Sequence, residues 1–167
     1  MANEFTYKKR VADALLLRKL QGKGAVLIEG PKWCGKTTTA LQLAKSALLL
    51  GKKETLDKSK ELIEFNSSLL LQGDTPRLLD EWQTIPSLWD AVRSEVDERH
   101  LFKQFILTGS ASPLSDEDNA KIFHSGAGRI ARLKMRTMSL WESGESNGTI
   151  SLGRIFSGDD KMIGTND

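Results

Sequence analysis

The chain has 167 residues, a formal net charge of +2, 39% hydrophobic residues and 28% charged ones, which suits one globular domain with a real core. A charge so near zero excludes a global field aimed at nucleic acid, and no apolar run approaches the length of a membrane span. Cys34 is the only cysteine, which excludes an internal disulfide; with no signal-peptide pattern at residues 1–5, a cytoplasmic protein is expected.

In chain order, Lys8 to Leu20 reads as a helix. Val11, Ala14 and Leu15 share one face, and Ala12, Leu16 and Leu20 another. The run from Gln21 to Gly24 ends it and turns into a short apolar strand, Ala25 to Ile28. Gly30, Pro31, Lys32, Trp33, Cys34, Gly35, Lys36 and Thr37 then fit G-x-x-x-x-G-K-[ST], the phosphate-binding P-loop. Thr37 to Lys45 reads as the helix that must follow. Strand, glycine loop and helix are the order this chemistry needs. The two glycines let the backbone curl so that N–H groups point inward, and the helix N-terminus adds partial positive charge there. Residues 30–38 are therefore the candidate nucleotide-binding set, Thr38 included. Lys36 can reach the β- and γ-phosphates, and the Thr37 hydroxyl can ligate Mg²⁺. Cys34 occupies a position the motif leaves free, so a small packing side chain is the simpler reading than a reactive thiol. Tyr7 and Arg10, in the approach to the loop, are weak candidates for contact with the base.

Ser46 to Leu50 is either a buried strand or the end of the P-loop helix. Asp57 to Phe65 reads as a helix with Asp57 as N-cap and Leu62, Ile63 and Phe65 as its apolar side. Residues 72–76 are a turn. Arg77 to Glu81 is an apolar strand ending in two acids, the Walker B pattern. Asp80 would hold Mg²⁺ through a water, and Glu81 would polarise the attacking water. The bland alternative is a strand end with solvated acids.

Pro86 to His100 reads as a helix with Leu88, Val92 and Val96 repeating on one side, and Trp82 and Trp89 as packing residues. Phe102 to Leu107 is a further buried strand with Thr108, Gly109 and Ser110 at its tip. Thr108, and after it Ser110, is the candidate for sensing the γ-phosphate; a hydroxyl-capped turn is the plainer alternative. Residues 112–119 read as a loop and His124 as a surface residue without ligand partners. From Arg129 to Arg136, basic residues alternate with Ile130, Leu133 and Met135, as in a strand with one wet face. Arg129 follows Gly126-Ala127-Gly128 and is the candidate arginine finger for a neighbouring subunit's ATP. Residues 150–156 hold one more short element, and 157–167 read as a disordered or truncated tail.

Four segments, at 30–37, 76–83, 105–110 and 125–130, occur in an order that resembles a family of prokaryotic AAA+ ATPases joined to a C-terminal domain of unknown function, and residues 141–146 look like that family's exit from the ATPase core. The resemblance covers most of residues 7–156 and implies an AAA+ P-loop core over 1–156. It implies an α/β, three-layer P-loop NTPase fold of AAA+ type, with a mainly parallel sheet flanked by helices. The function it implies is Mg²⁺-dependent ATP binding and hydrolysis. Lys36, Glu81, Thr108 and Arg129 would be catalytic, and Thr37 and Asp80 would serve the metal. The implied partners are ATP and ADP, a second copy of the chain through Arg129, and an unidentified macromolecule. In that family the chain continues into a further domain, which would supply the helical lid. Two other functions fit the same motifs: an ATP-binding switch or scaffold with little hydrolysis, and a small-molecule kinase using the basic stretch 129–136 as a lid. No Asn-Lys-x-Asp or Thr-Lys-x-Asp for guanine is present, which disfavours a GTPase.

Overall fold

The computed structural model describes residues 6–110, 126–148 and 151–158. It divides into two units, residues 11–137 and residues 1–10 with 138–167.

The larger unit is built on one sheet of five strands, β1 (Ala25–Gly30), β2 (Ser46–Leu49), β3 (Arg77–Asp80), β4 (Phe105–Ser110) and β5 (Ile130–Lys134). Their order is β2-β3-β4-β1-β5, and every pairing is parallel. A parallel sheet needs crossovers that cover both faces, and the helices α1 (Val11–Gly22), α2 (Lys36–Leu41), α3 (Lys53–Phe65) and α4 (Leu88–Arg99) do so. Side chains alternate along each strand, so one sequence feeds two cores. Val26, Ile28, Leu78, Ile106 and Leu133 pack with Ala12, Leu16 and Leu20 of α1 and Ala40 of α2. Leu27, Leu79, Phe105 and Leu107 pack on the other face with Leu88, Trp89, Val92 and Val96 of α4. Each fully buried leucine or isoleucine there contributes about 1.5–3 kcal/mol. Trp82 and Trp89 lie in this second core with ring centroids 5.2 Å apart.

Several boundaries differ from the sequence expectation for local reasons. The first helix begins at Val11, and its buried face is the one carrying Ala12, Leu16 and Leu20; Val11 and Leu15 are exposed. The P-loop helix stops at Leu41, where Gln42 and Leu43 bond back three residues and tighten the turn. Ser46 to Leu49 is then a strand, because β3 offers it a full parallel ladder. The helix expected from Asp57 begins at Lys53, since nothing between the two breaks it and Glu54 pairs with Lys58 one turn on. Asp57 is therefore inside the helix rather than at its cap, and Leu62 and Phe65 are exposed. The strand expected from Phe102 begins at Phe105: Leu101 and Phe102 are exposed, and Lys103 has φ 61°, outside extended backbone. Thr108 to Ser110 consequently continue the strand instead of capping it. In β5 and the residue after it, Leu133 and Met135 share a dry face with Ala131, whereas Ile130 packs into the opposite core, on the face that Lys134 exposes.

In the smaller unit, α5 (Leu140–Ser143) starts with a capping box between Ser139 and Glu142, and Ser151 caps α6 (Leu152–Phe156). Glu142 also pairs with Arg10 at 3.1 Å, and Lys8 donates to the Ser143 carbonyl at 2.6 Å. The loop at 112–119, His124, Ser125 and the tail from 159 lie outside the described residues.

Candidate functional site

The strand order decides where the chemistry gathers. β4 lies between β1 and β3, so the tips of the three run side by side. Ile28, Thr108 and Asp80 are direct neighbours across the ladder, and the P-loop leaves β1 two residues further on. This is the carboxyl end of the sheet, where chain direction along the sheet reverses around β1 and ligands of open α/β folds bind.

The loop has a definite shape. Gly35 sits at φ 95° ahead of α2, a conformation in which a Cβ would clash. At Gly30 the demand is space: a Cβ would lie 2.3 Å from the Met135 carbonyl oxygen. Trp33 also has a positive φ, 68°, and its side chain is 91% exposed, with the Lys32 ammonium 6.0 Å from the ring centre. Cys34 points the other way and packs in the core with Ala40 and Ile28, as expected of a small filler. The Lys36 ammonium folds back onto its own loop, donating to the Gly30 and Pro31 carbonyls at 3.0 Å each. It thereby occupies the hollow that the loop encloses.

Beneath the loop, Asp80 Oδ1 accepts hydrogen bonds from two hydroxyls. One is Thr37 Oγ1, at 2.6 Å, and the other is Thr108 Oγ1. Asp80 and Thr108 are buried. The first turn of α2 and the tips of β3 and β4 thus meet at one carboxylate. Glu81 follows immediately but leaves the strand: its φ is 56°, and it caps the 3-10 turn Trp82–Thr84. That twist turns its side chain away from the buried row. Lys32, Trp33, Gly35, Lys36, Thr37, Thr38 and Glu81 line one open cleft of about 380 Å³. Gly30, Pro31 and Cys34 shape the loop rather than line the cleft.

Arg129 is elsewhere. It precedes Ile130, which is level with Ala25 at the amino end of β1, so the whole strand, about 16 Å at 3.3 Å per residue, separates it from the P-loop. Its guanidinium pairs with both oxygens of Asp97 at 2.6 Å. That hydrogen bond, then the charge, holds the Asp97 carboxyl below its ordinary pKa and raises that of Arg129. Both groups are exposed, so the pair orients the arginine more than it stabilises the fold. Ser110 closes β4. Arg10 is engaged by Glu142.

One neighbour of Glu81 escaped the sequence reading. Gln83 Nε2 donates to Glu81 Oε2, and the only signal was a Glu-x-Gln spacing whose meaning depends on the turn that brings the two together.

The described residues contain no group of three or more His, Cys, Asp or Glu able to hold a metal, and no helix among them is long and apolar enough to cross a membrane.

Comparison with known proteins adds the relationship. The chain is 30% identical over 146 residues to the uncharacterized proteins Rv2008c of Mycobacterium tuberculosis and Mb2031c of Mycobacterium bovis. The match covers 83% of this chain and spans 31% of the length of those relatives. Among solved structures, the Aeropyrum pernix ORC2 protein, in ADPNP–ADP complexes, is similar over 85% of this chain and 52% of its own, with TM-score 0.42 and 20% identity. The family model described as "AAA domain" matches residues 22–143. The chain belongs to that family, and its five-stranded parallel core is a nucleotide-binding P-loop domain of the AAA ATPase type.

Proposed function

We propose that this domain binds ATP with Mg²⁺ and hydrolyses the γ-phosphate by in-line attack of water. The observation that carries the reading is the meeting of Thr37, Asp80 and Thr108 on one carboxylate oxygen beside an open cleft that Lys36 and Glu81 line. The donor set suits Mg²⁺, which takes hard oxygens and is usually held by one or two protein groups together with substrate phosphates. A hydroxyl and a carboxylate at 2.6 Å offer that. When bound, Mg²⁺ would supply charge that offsets the γ-phosphate and its leaving oxygen.

This chain's own residues do the rest. Backbone N–H groups at the start of α2 face the phosphates. Lys36 exchanges the Gly30 and Pro31 carbonyls for phosphate oxygens. Thr37 and Asp80, joined by a hydrogen bond, would be the residues that hold Mg²⁺, the hydroxyl as a ligand and the carboxylate through a water. Glu81 accepts the proton of the attacking water. Thr108, level with Asp80, carries any shift at the γ-phosphate into β4.

The test is Glu81→Gln, which keeps the side-chain shape and removes the base. Phosphate release is expected to fall by about a hundred- to ten-thousandfold while ATP affinity stays within a factor of two or three. Turnover at the parent rate would remove Glu81 from the role.

A further inference from the structure

Gln83 is two residues past Glu81, at the centre of the turn Trp82–Thr84. The turn is rigid for visible reasons. Trp82 is buried against Trp89, and the Glu81 carbonyl accepts from both the Thr84 N–H, at 3.0 Å, and the Thr84 hydroxyl, at 2.8 Å. On this turn the Gln83 amide nitrogen donates to Glu81 Oε2. Its other end, Oε1, is buried and has no hydrogen-bond partner among the described residues. It lies against Gly109 of β4, where a Cβ would come within 2.7 Å of it.

An amide that leaves its carbonyl orphaned in the interior is oriented by something else, because buried polar groups are nearly always paired. Rotating the amide would turn its oxygen toward the Glu81 carboxylate, acceptor against acceptor. The carboxylate therefore dictates the orientation, and the amide in return restricts the carboxylate to one direction over the cleft. We infer that Gln83 is a positioning residue that holds Glu81 in the orientation needed to receive a proton from water. The inference rests on the reading of Glu81 given above. Gly109 supplies the space for it, which ties the arrangement to the strand that carries Thr108.

The experiment is a double-mutant cycle with a spectroscopic arm. Gln83→Leu keeps the volume and removes the donor. It is expected to lower kcat about ten- to hundredfold with KM for ATP and Tm nearly unchanged. Gln83→Asn, which retains an amide, is expected to recover part of the loss. In a Glu81→Gln background, Gln83→Leu is expected to lower the residual rate no further, because the group it positions is already gone. Equal losses in both backgrounds would make Gln83 a general structural residue, and an unchanged kcat in the single variant would overturn the proposal. A Glu81→Gln protein that keeps the parent rate would instead sink the reading of Glu81 itself. The second arm needs no turnover: with ¹⁵N-labelled glutamine, the Gln83 side-chain amide protons should exchange slowly and lose that protection in Glu81→Ala. Rapid exchange in the parent protein would also refute the clamp.

Discussion

Lys36 is only 6% exposed, and its ammonium bridges two carbonyls of its own loop. In this form it ties the loop to itself. Lys36→Ala therefore removes a ligand for nucleotide and leaves the Gly30 and Pro31 carbonyls to water. Loss of one charge-assisted contact is worth about 1.5–3 kcal/mol, so ATP should bind about ten- to hundredfold more weakly, read by titration calorimetry. The fold should survive, because Lys36 belongs to neither hydrophobic core and the change is confined to the loop. Undiminished affinity in a folded Lys36→Ala protein would contradict a phosphate contact for this lysine.

At the scale of elements, β4 does more than fill the centre of the sheet. It carries Thr108 to Asp80, and its Gly109 leaves room for the Trp82 ring and the Gln83 amide. A Cβ at 109 would fall 2.7 Å from Gln83 Oε1 and 3.0 Å from Trp82 Nε1. Gly109→Ala must then push the turn that carries Glu81. Overpacking of this kind costs about 1–3 kcal/mol, a fall in Tm of about 4–11 °C for a unit of this size. Hydrolysis should fall further than stability alone explains, measured at a temperature where the variant is fully folded. A variant with parent Tm and parent rate would mean that the turn tolerates displacement.

For the whole molecule, the separation of Arg129 from the P-loop sets the geometry of any finger role. With the length of β1 between them, Arg129 is far from the P-loop of its own chain, so a finger role would require a neighbour's cleft. Asp97 holds it at the surface. If assembly brings Arg129 to a second copy's cleft, hydrolysis should rise faster than linearly with protein concentration. Arg129→Ala should then lower it by about three to five powers of ten without weakening ATP binding. Mixing Arg129→Ala with Lys36→Ala proteins is the decisive measurement, since each lacks what the other has. Recovered activity is expected; no recovery in an assembled mixture would leave Arg129 a partner for Asp97 alone.

The P-loop was legible because its chemistry is local: glycine spacing, a lysine and a hydroxyl follow one another within eight residues, and strand and helix flank them. Asp80 and Glu81 were legible as a strand end with two acids, and the packing roles of Trp82, Trp89 and Cys34 followed from residue type. Tertiary structure decided what depends on neighbours. Ser46 to Leu49 is a strand because β3 is there to pair with it. Thr108 meets Asp80 because β4 inserts between β1 and β3, an adjacency that no run of residues encodes. Glu81 leaves the line of Asp80 because one residue adopts a left-handed conformation, and Gln83 then faces it across a turn. Local spacing carries the groups that act through their own backbone; contacts between strands and across turns exist only after the chain has closed on itself.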